Sequence, residues 1–348
     1  MKMKKVMILL VLACLPAGFI FSQTDNEKKA AFQLSFIPPL STQGTEAPIY
    51  TNAVSFNILA GVSRSVTTFS LSGLGMYVKQ DLGGFHLAGL GTYAGGSGQG
   101  TMIAGLLNRT SDYSGFQLSG LVNKTHEMNG IQITGLANVA TGTMNGFQLA
   151  GLVNVANDVN GFQIGGLMNK AKKVSGFQLA AILNIADESD YPIGLVNLIK
   201  NGEKSIGITY DEIGSTMVAF RSGGRILYGI LGVGYNHKAK EEKYVAEGGF
   251  GAHIPISSRF RINNELRSQF LTDFSEDNQV DHNSFAIMPA FRFTPHLELF
   301  GGPSLNYMST NNTDNLSMFP SHSLWKKHTD TKLKQLYLGF SVGIQYIF

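Results

Sequence analysis

A block of about fifteen residues, best written GFQLAGLVN plus a short polar stretch, recurs from about residue 84 to residue 200 and limits what the chain can fold into. It opens at Gly115, Gly130, Gly146, Gly161 and Gly176, with looser copies at Gly84 and Gly100 and a shortened one ending in GLVN at Asn197. Self-similarity at a fixed period is the mark of an array. An array built from one short unit suits a scaffold better than an active site, which needs a few unlike groups converging at one place.

Residue type and period make the repeat β structure. In the copy from Phe147 to Ala156, the odd set is Phe147, Leu149, Gly151, Val153 and Val155, and the even set is Gln148, Ala150, Leu152, Asn154 and Ala156. The first set is apolar throughout, whereas the second is smaller and mixed. Period-two alternation bounded by Asn, Asp, Gly and Ser reads as strand and turn, and a glycine inside every copy weakens a helix. Arg109, Asp112, Lys124, Glu127, Asp158, Lys170, Lys172, Lys173, Asp187, Glu188 and Asp190 fall at the ends of the apolar runs or between them. Strand centres are therefore uncharged, in keeping with a chain only 15% charged, where a soluble domain carries about a quarter. The net charge of +3 is scattered, with no basic stripe, and argues against a nucleic-acid partner.

Met1 to Lys5 carries three lysines, Val6 to Phe21 is apolar, and Ser22 precedes a polar run, which is the pattern of a signal peptide over 1–22, cleaved near Ser22. The single cysteine, Cys14, lies within it, so the expected mature chain has no disulfide and no Cys-ligated metal. Beyond this segment no apolar run reaches about eighteen residues, so an exported chain of this kind enters a membrane as a barrel. The other end agrees. Tyr346, Ile344, Val342, Phe340, Leu338 and Leu336 alternate up to Phe348 with a set that includes the small and polar Gln345, Gly343, Ser341 and Gly339. Phe340, Tyr346 and Phe348 thus resemble the closing-strand signal that the barrel-assembly machinery reads in bacterial outer membranes.

Residues 204–348 read as a C-terminal meander, with strands expected over Ser205–Tyr210, Thr216–Arg221, Arg225–Asn236, Tyr244–Ile254, Arg259–Phe270, Phe285–Phe293 and Leu297–Met308 before the terminal strand. Connections near Lys238, from Thr272 and from Ser309 to Lys334 are long and polar, whereas those at Ser222 and Thr294 are tight. Unequal connections are the barrel pattern of outward loops and inner-side turns.

Two arrangements accommodate the repeat region, 84–203. In the favoured one the repeats are wall strands of a single all-β transmembrane antiparallel β-barrel of about sixteen to nineteen strands, entered without a linker through N-terminal strands in 23–83. Phe then forms aromatic girdles, and Gln117, Gln132, Gln148, Gln163 and Gln178 with Asn123, Asn138, Asn154, Asn169 and Asn184 line a lumen poor in fixed charge and of little ion selectivity. In the alternative the repeats are coils of a parallel β-solenoid, with these residues as polar ladders, followed by a C-terminal barrel of about eight strands. The solenoid better explains why neighbouring copies are alike, since an antiparallel meander repeats every two strands.

The signal segment, FQLSFIPPLSTQG from Phe32, the GFQLAGLVN repeats and PIGLVNLIKNGEKSIGITYDE from Pro192 together resemble the surface repeat-containing proteins predicted in Bacteroidota and spirochaetes. The likeness spans most of the chain. It implies an outer-membrane or surface location and assigns no catalytic or ligand-binding residues.

The residues themselves offer little sign of chemistry. His86, His126, His237, His253, His282, His296, His322 and His328 show no HExxH or paired-ligand spacing, and read as solvated loop histidines. Asp273, Glu276, Asp277 and Asp281 supply oxygen ligands without the spacing of a calcium loop. GGSGQG near Gly95 lacks the lysine of a phosphate loop. The expectation is a monomeric, non-enzymatic integral outer-membrane protein without cofactor, structural or pore-like, in contact with outer-membrane lipid. The alternative is a surface adhesin that displays a repeat array on a barrel anchor.

Overall fold

The computed structural model describes residues 27–240, 243–274, 279–311, 318–329 and 332–348; the expected signal segment, Cys14 included, lies outside them. The chain is all-β, and it takes the second arrangement: a parallel β-solenoid followed by a closed antiparallel barrel. The repeats are coils, not barrel staves.

Each repeat makes two strands because its alternation breaks at the Gly-Leu pair. In one copy Thr143–Ala150 is followed by a sharp turn at Gly151–Leu152 and then by Val153–Val155. A Cβ on Gly151 would strike the Gly135 carbonyl of the coil below, so glycine lets most of the turns approach this closely, although Ala181 holds the same place in a later coil. The turn also resolves the apparent conflict at Leu152, which points outward although its even-numbered neighbours point in. Gly146 has φ +126°, and a Cβ there would strike the Gly130 carbonyl.

Successive coils pair in register: Gly130 with Gly146 and Gly161, Gln132 with Gln148 and Gln163, Asn138 with Asn154 and Asn169. One sheet holds twelve strands, of which Leu40–Ser41 pairs antiparallel, leaving eleven parallel (12 − 1); the other sheet holds ten. Parallel pairing starts at Lys28–Ile37, which pairs with Tyr50–Asn57. The expected N-terminal strands before residue 84 are thus further coils of the same solenoid.

The even-numbered set of the repeat faces inward. Gln117, Gln132, Gln148, Gln163, Gln178, Asn123, Asn138, Asn154, Asn169 and Asn184 are all fully buried, beside an apolar column of Tyr113, Met128, Met144, Val159 and Val174. The amides satisfy one another from coil to coil. Asn138 Nδ2 donates to Asn154 Oδ1 at 3.0 Å, and Asn154 to Asn169 at 3.0 Å; Gln148 Nε2 donates to Gln132 Oε1 at 2.8 Å, and Gln163 to Gln148 at 2.9 Å. Each Asn also pins the Gly-Leu turn of the following coil, as Asn154 Nδ2 does at the Ile164 carbonyl, 2.8 Å away.

Residues 204–348 form the barrel from eight strands: Lys204–Asp211, Ser215–Gly223, Leu227–Asn236, Tyr244–Pro255, Phe260–Thr272, Gln279–Thr294, Leu297–Thr310 and Lys332–Ile347. Pairing of the last with the first, from Ser205 with Ile347 to Asp211 with Ser341, closes the cylinder and leaves no edge within it. The short strand Trp325–Thr329 extends the wall as a hairpin on the last strand.

The last coil of the solenoid is covered by the barrel. Asn197 N–H donates to Ser222 Oγ at 2.9 Å, and Asn197 Nδ2 to the Ser222 carbonyl at 3.1 Å. Arg225 reaches Asp190 with two bonds of 2.8 and 3.0 Å, which holds the Asp190 carboxyl below its ordinary pKa.

Replacing Asn154 by Ala strands the Ile164 carbonyl and the Asn138 amide in a dry interior, and should cost about 2–3 kcal/mol. Gly146→Ala should cost at least as much through its backbone alone. Urea unfolding of the full chain, followed by amide hydrogen exchange in the solenoid, measures both; unchanged protection in either variant would rule out the stacked coil.

Candidate functional site

Two interiors hold the polar chemistry of this molecule, one in the solenoid and one in the barrel. In the solenoid the amide ladders have defined ends. The Asn column runs from Asn108, whose Oδ1 has no partner, to Asn197 at the barrel. The Gln column ends at Gln178, whose Oε1 has no partner because Pro192 occupies the next position. Asn amides donate toward the barrel and Gln amides away from it, so the two rows of side-chain dipoles offset each other.

Between Gln33 and Gln117 the Gln position carries other residues, among them His86, paired with Ser70 below and Met102 above. His86 Nε2 donates to the Gly83 carbonyl at 2.8 Å, and Nδ1 accepts from Ser70 Oγ at 2.7 Å. Burial pushes its pKa down to about 4, and the bond to Gly83 offsets part of that shift.

The barrel interior is charged. Glu265 accepts from Arg221 Nε at 2.8 Å and from Tyr228 Oη at 2.9 Å, and lies 3.7 Å from Arg267 Nε. Gln269 Nε2 donates to Glu247 at 2.8 Å. Nearer the solenoid end, Glu298 meets Arg261 Nε at 2.9 Å, Arg261 reaches Glu203 at 2.6 Å, and Arg292 reaches Glu203 at 2.9 Å. Arg221, Arg261, Arg267 and Arg292 thus face Glu203, Glu247, Glu265 and Glu298, and two further carboxyls, Asp211 and Glu212, lie toward the other end, where Asn306 Nδ2 donates to Glu212 at 2.8 Å. An eight-stranded wall leaves an interior just wide enough for side chains to fill. This network fills it, which corrects the expected lumen lined by Gln and Asn with few fixed charges: those amides lie inside the solenoid.

The barrel strand Phe260–Thr272 carried the missed signal in plain view, since Arg261, Asn263, Glu265, Arg267 and Gln269 occupy alternate positions between Ile262, Leu266 and Phe270. The reading of all histidines as solvated is also corrected. His86, His253 and His282 are buried; His253 Nδ1 lies 2.8 Å from Asn263 Oδ1, and His282 bridges Gln269 and Tyr337 at 2.9 and 3.1 Å. His126, His322 and His328 are exposed.

Phe340, Tyr346 and Phe348 all point outward from the terminal strand. The GGSGQG segment becomes part of a coil, with Gly98–Ala104 as strand. Of the acidic loop, Glu276 and Asp277 lie outside the described residues, and Asp281 is on a strand, facing out. Among the described residues no group of three or more His, Cys, Asp or Glu is placed to hold a metal ion, and no helix is long and apolar enough to cross a membrane. The arrangement defines a class by its pairing: a solenoid of inward-facing amides joined to a barrel of inward-facing ion pairs.

No protein-family profile matches the chain, and no curated protein matches it. Among solved structures it is similar to a chain described as "De novo design of transmembrane beta-barrels", with 14% identity and a TM-score of 0.25, over 42% of this chain and 93% of that one.

His86 generates a pH dependence with a definite sign. Its folded pKa, about 4, lies below its ordinary value of 6.5, so the unfolded chain binds the proton first. Stability is then full above pH 6.5 and falls as the pH drops toward 4, by up to about 3 kcal/mol. His86→Gln, which restores the amide of the other coils, should flatten amide-exchange protection of the solenoid over that window; an unaltered pH slope would contradict the assignment.

Proposed function

We propose that this chain is a monomeric, non-enzymatic integral outer-membrane protein, in which a closed barrel serves as anchor and the solenoid is the working body. The observation that carries this reading is the inversion of the barrel. Its ion pairs point inward, while Ile206, Ile208, Val218, Val233, Leu266 and Leu338 stand outward with 48–68% of their surface exposed. A soluble barrel facing water with such a wall would expose far more contiguous apolar surface than soluble monomers carry. A lipid-facing barrel needs it.

The expected signal peptide fits export, and Phe340, Tyr346 and Phe348 fit the closing-strand signal for the barrel-assembly machinery. The filled interior favours an anchor over a pore. Buried pairs such as Arg221–Glu265 hold each other in place, and removal of one partner leaves an uncompensated charge at a cost of roughly 3–5 kcal/mol.

Two measurements follow. The mature full-length chain should fractionate with outer membranes and resist extraction by alkaline carbonate; recovery in the soluble fraction would end the membrane reading. Reconstituted in planar bilayers it should give no conductance steps, and Glu265→Ala should lower its unfolding midpoint in detergent. Regular open-channel steps from the unaltered protein would overturn the plugged anchor in favour of a pore.

A further inference from the structure

The solenoid is inverted in the same sense as the barrel, but along one edge only. Four outward columns are involved. One runs through the Phe position, from Phe32 by Phe162 to Tyr191, and the next through the Leu position, from Leu34 to Ile193. The third is the outer residue of the Gly-Leu turns, from Leu74 through Leu121 and Leu167 to Ile182. The fourth is the first outward residue of the second sheet, such as Val122, Val153 and Leu183.

No charged residue occupies any of the four columns, and the turn residues Leu136, Leu152, Leu167 and Ile182 are 40–52% exposed. Eleven coils at about 4.8 Å make a strip roughly 50 Å long, and four columns make it on the order of 1,000 Å², several times what isolated surface apolar residues account for. The opposite edge is wet. It carries Asp112, Glu127, Asp158, Lys172 and Asp187, and beside it, two residues before the Phe column on the same strands, runs an exposed ladder in which Asn160 donates to Asn145 at 2.8 Å and Asn145 to Asn129 at 2.7 Å.

The apolar edge is continuous with the barrel wall. The last turn of the solenoid, Gly194–Leu195, lies against the outward positions Gly229 and Gly248, and a Cβ on Gly229 would collide with the Gly194 and Leu195 carbonyls. Leu231 and Phe250, beside those glycines on the same outer face, are exposed. The contact also fixes the side. The barrel end that carries it has only tight connections, at 224–226, 256–259 and 295–296, whereas the other end has one tight connection, at 212–214, and the three longer ones that follow Asn236, Thr272 and Thr310. In bacterial barrels short turns face the periplasm and long loops face outside.

We infer that the solenoid lies along the periplasmic leaflet of the membrane its barrel spans, with its Phe- and Leu-lined edge embedded in acyl chains and its Asn129–Asn145–Asn160 side in water. The inference rests on the membrane reading of the barrel and adds an occupant for the second apolar surface. It makes the protein an interfacial β-structure, buried on one side as an amphipathic helix is, and it turns the array inward from the cell surface.

The test places a single bimane-labelled cysteine at Leu152, Leu167, Asn160 or the barrel-wall position Leu266 of the mature full-length protein, in phosphatidylcholine–phosphatidylglycerol vesicles with or without brominated acyl chains. Bromine should quench Leu266, Leu152 and Leu167 by a similar, severalfold factor and leave Asn160 unchanged. Quenching at Leu266 alone overturns the embedded edge while sparing the barrel, whether the strip is then covered by a second copy or by nothing. Quenching at neither site overturns both. In intact cells an impermeant maleimide should label a cysteine at His322, in the far-end connection, and not one at Asn160; labelling at Asn160 would overturn the periplasmic side.

Discussion

The structure depends on amide groups that can be satisfied only by their own copies in the next coil. A carboxamide shut away from water needs its donors and acceptor matched, and the cost of leaving one unmatched is comparable to that of losing a whole hydrogen bond. Asn154 meets the requirement with two donors, one to Asn169 and one to the Ile164 carbonyl, and with one acceptor for Asn138. That solution works only if the coils above and below present the same group at the same height. The near-identity of the repeats is therefore a consequence of the interior, and the glycines that let turns approach follow from the same spacing.

Placing the polar groups inside frees the outside to be apolar. In the barrel the same trade is made with charge: Arg221, Glu265 and Arg267 face a closed interior, and Ile206, Leu266 and Leu338 face out. The two halves meet where the ladders run out. Asn197, the last amide of its column, turns its donors to the Ser222 carbonyl of the barrel and to Gly194, so the barrel also serves as the terminal cap that a solenoid requires. The Asp190–Arg225 pair closes the junction on its wet side.

Much of this was legible in the sequence, and the failures have physical causes. Which side chains share a face was readable from Phe147 to Ala156, because a period of two holds for a wall strand and for a coil alike. Which object those strands build was not, since a fifteen-residue unit gives either one long stave or two short strands with a turn. Leu152 on the even face was the residue that discriminated, and its Gly151 partner marked the turn. The barrel strands were placed to within a few residues, apart from an earlier start at Gln279 for the strand expected from Phe285 and an earlier start at Lys332 for the terminal strand expected from Leu336. The coils before residue 84 do not read as repeats because their interior differs: Ser55 and Ser70 fill the position that later coils give to Gln117 and its successors, although Gln33 in the first coil shares it. The charged barrel interior was visible only as alternation within Phe260–Thr272, which a search for catalytic or metal-binding spacing does not detect.

Spin labels at Asn129 and Asn145 test the parallel coil most directly. These residues are in-register partners on neighbouring coils, so labels there should lie within roughly 10 Å, one strand spacing plus the label arms, and broaden the continuous-wave spectrum of the full-length protein strongly. Were each repeat a stave of an antiparallel wall, the two positions would fall at opposite ends of adjacent strands, about 30 Å apart, and an unbroadened spectrum with that distance by pulsed methods would contradict the account.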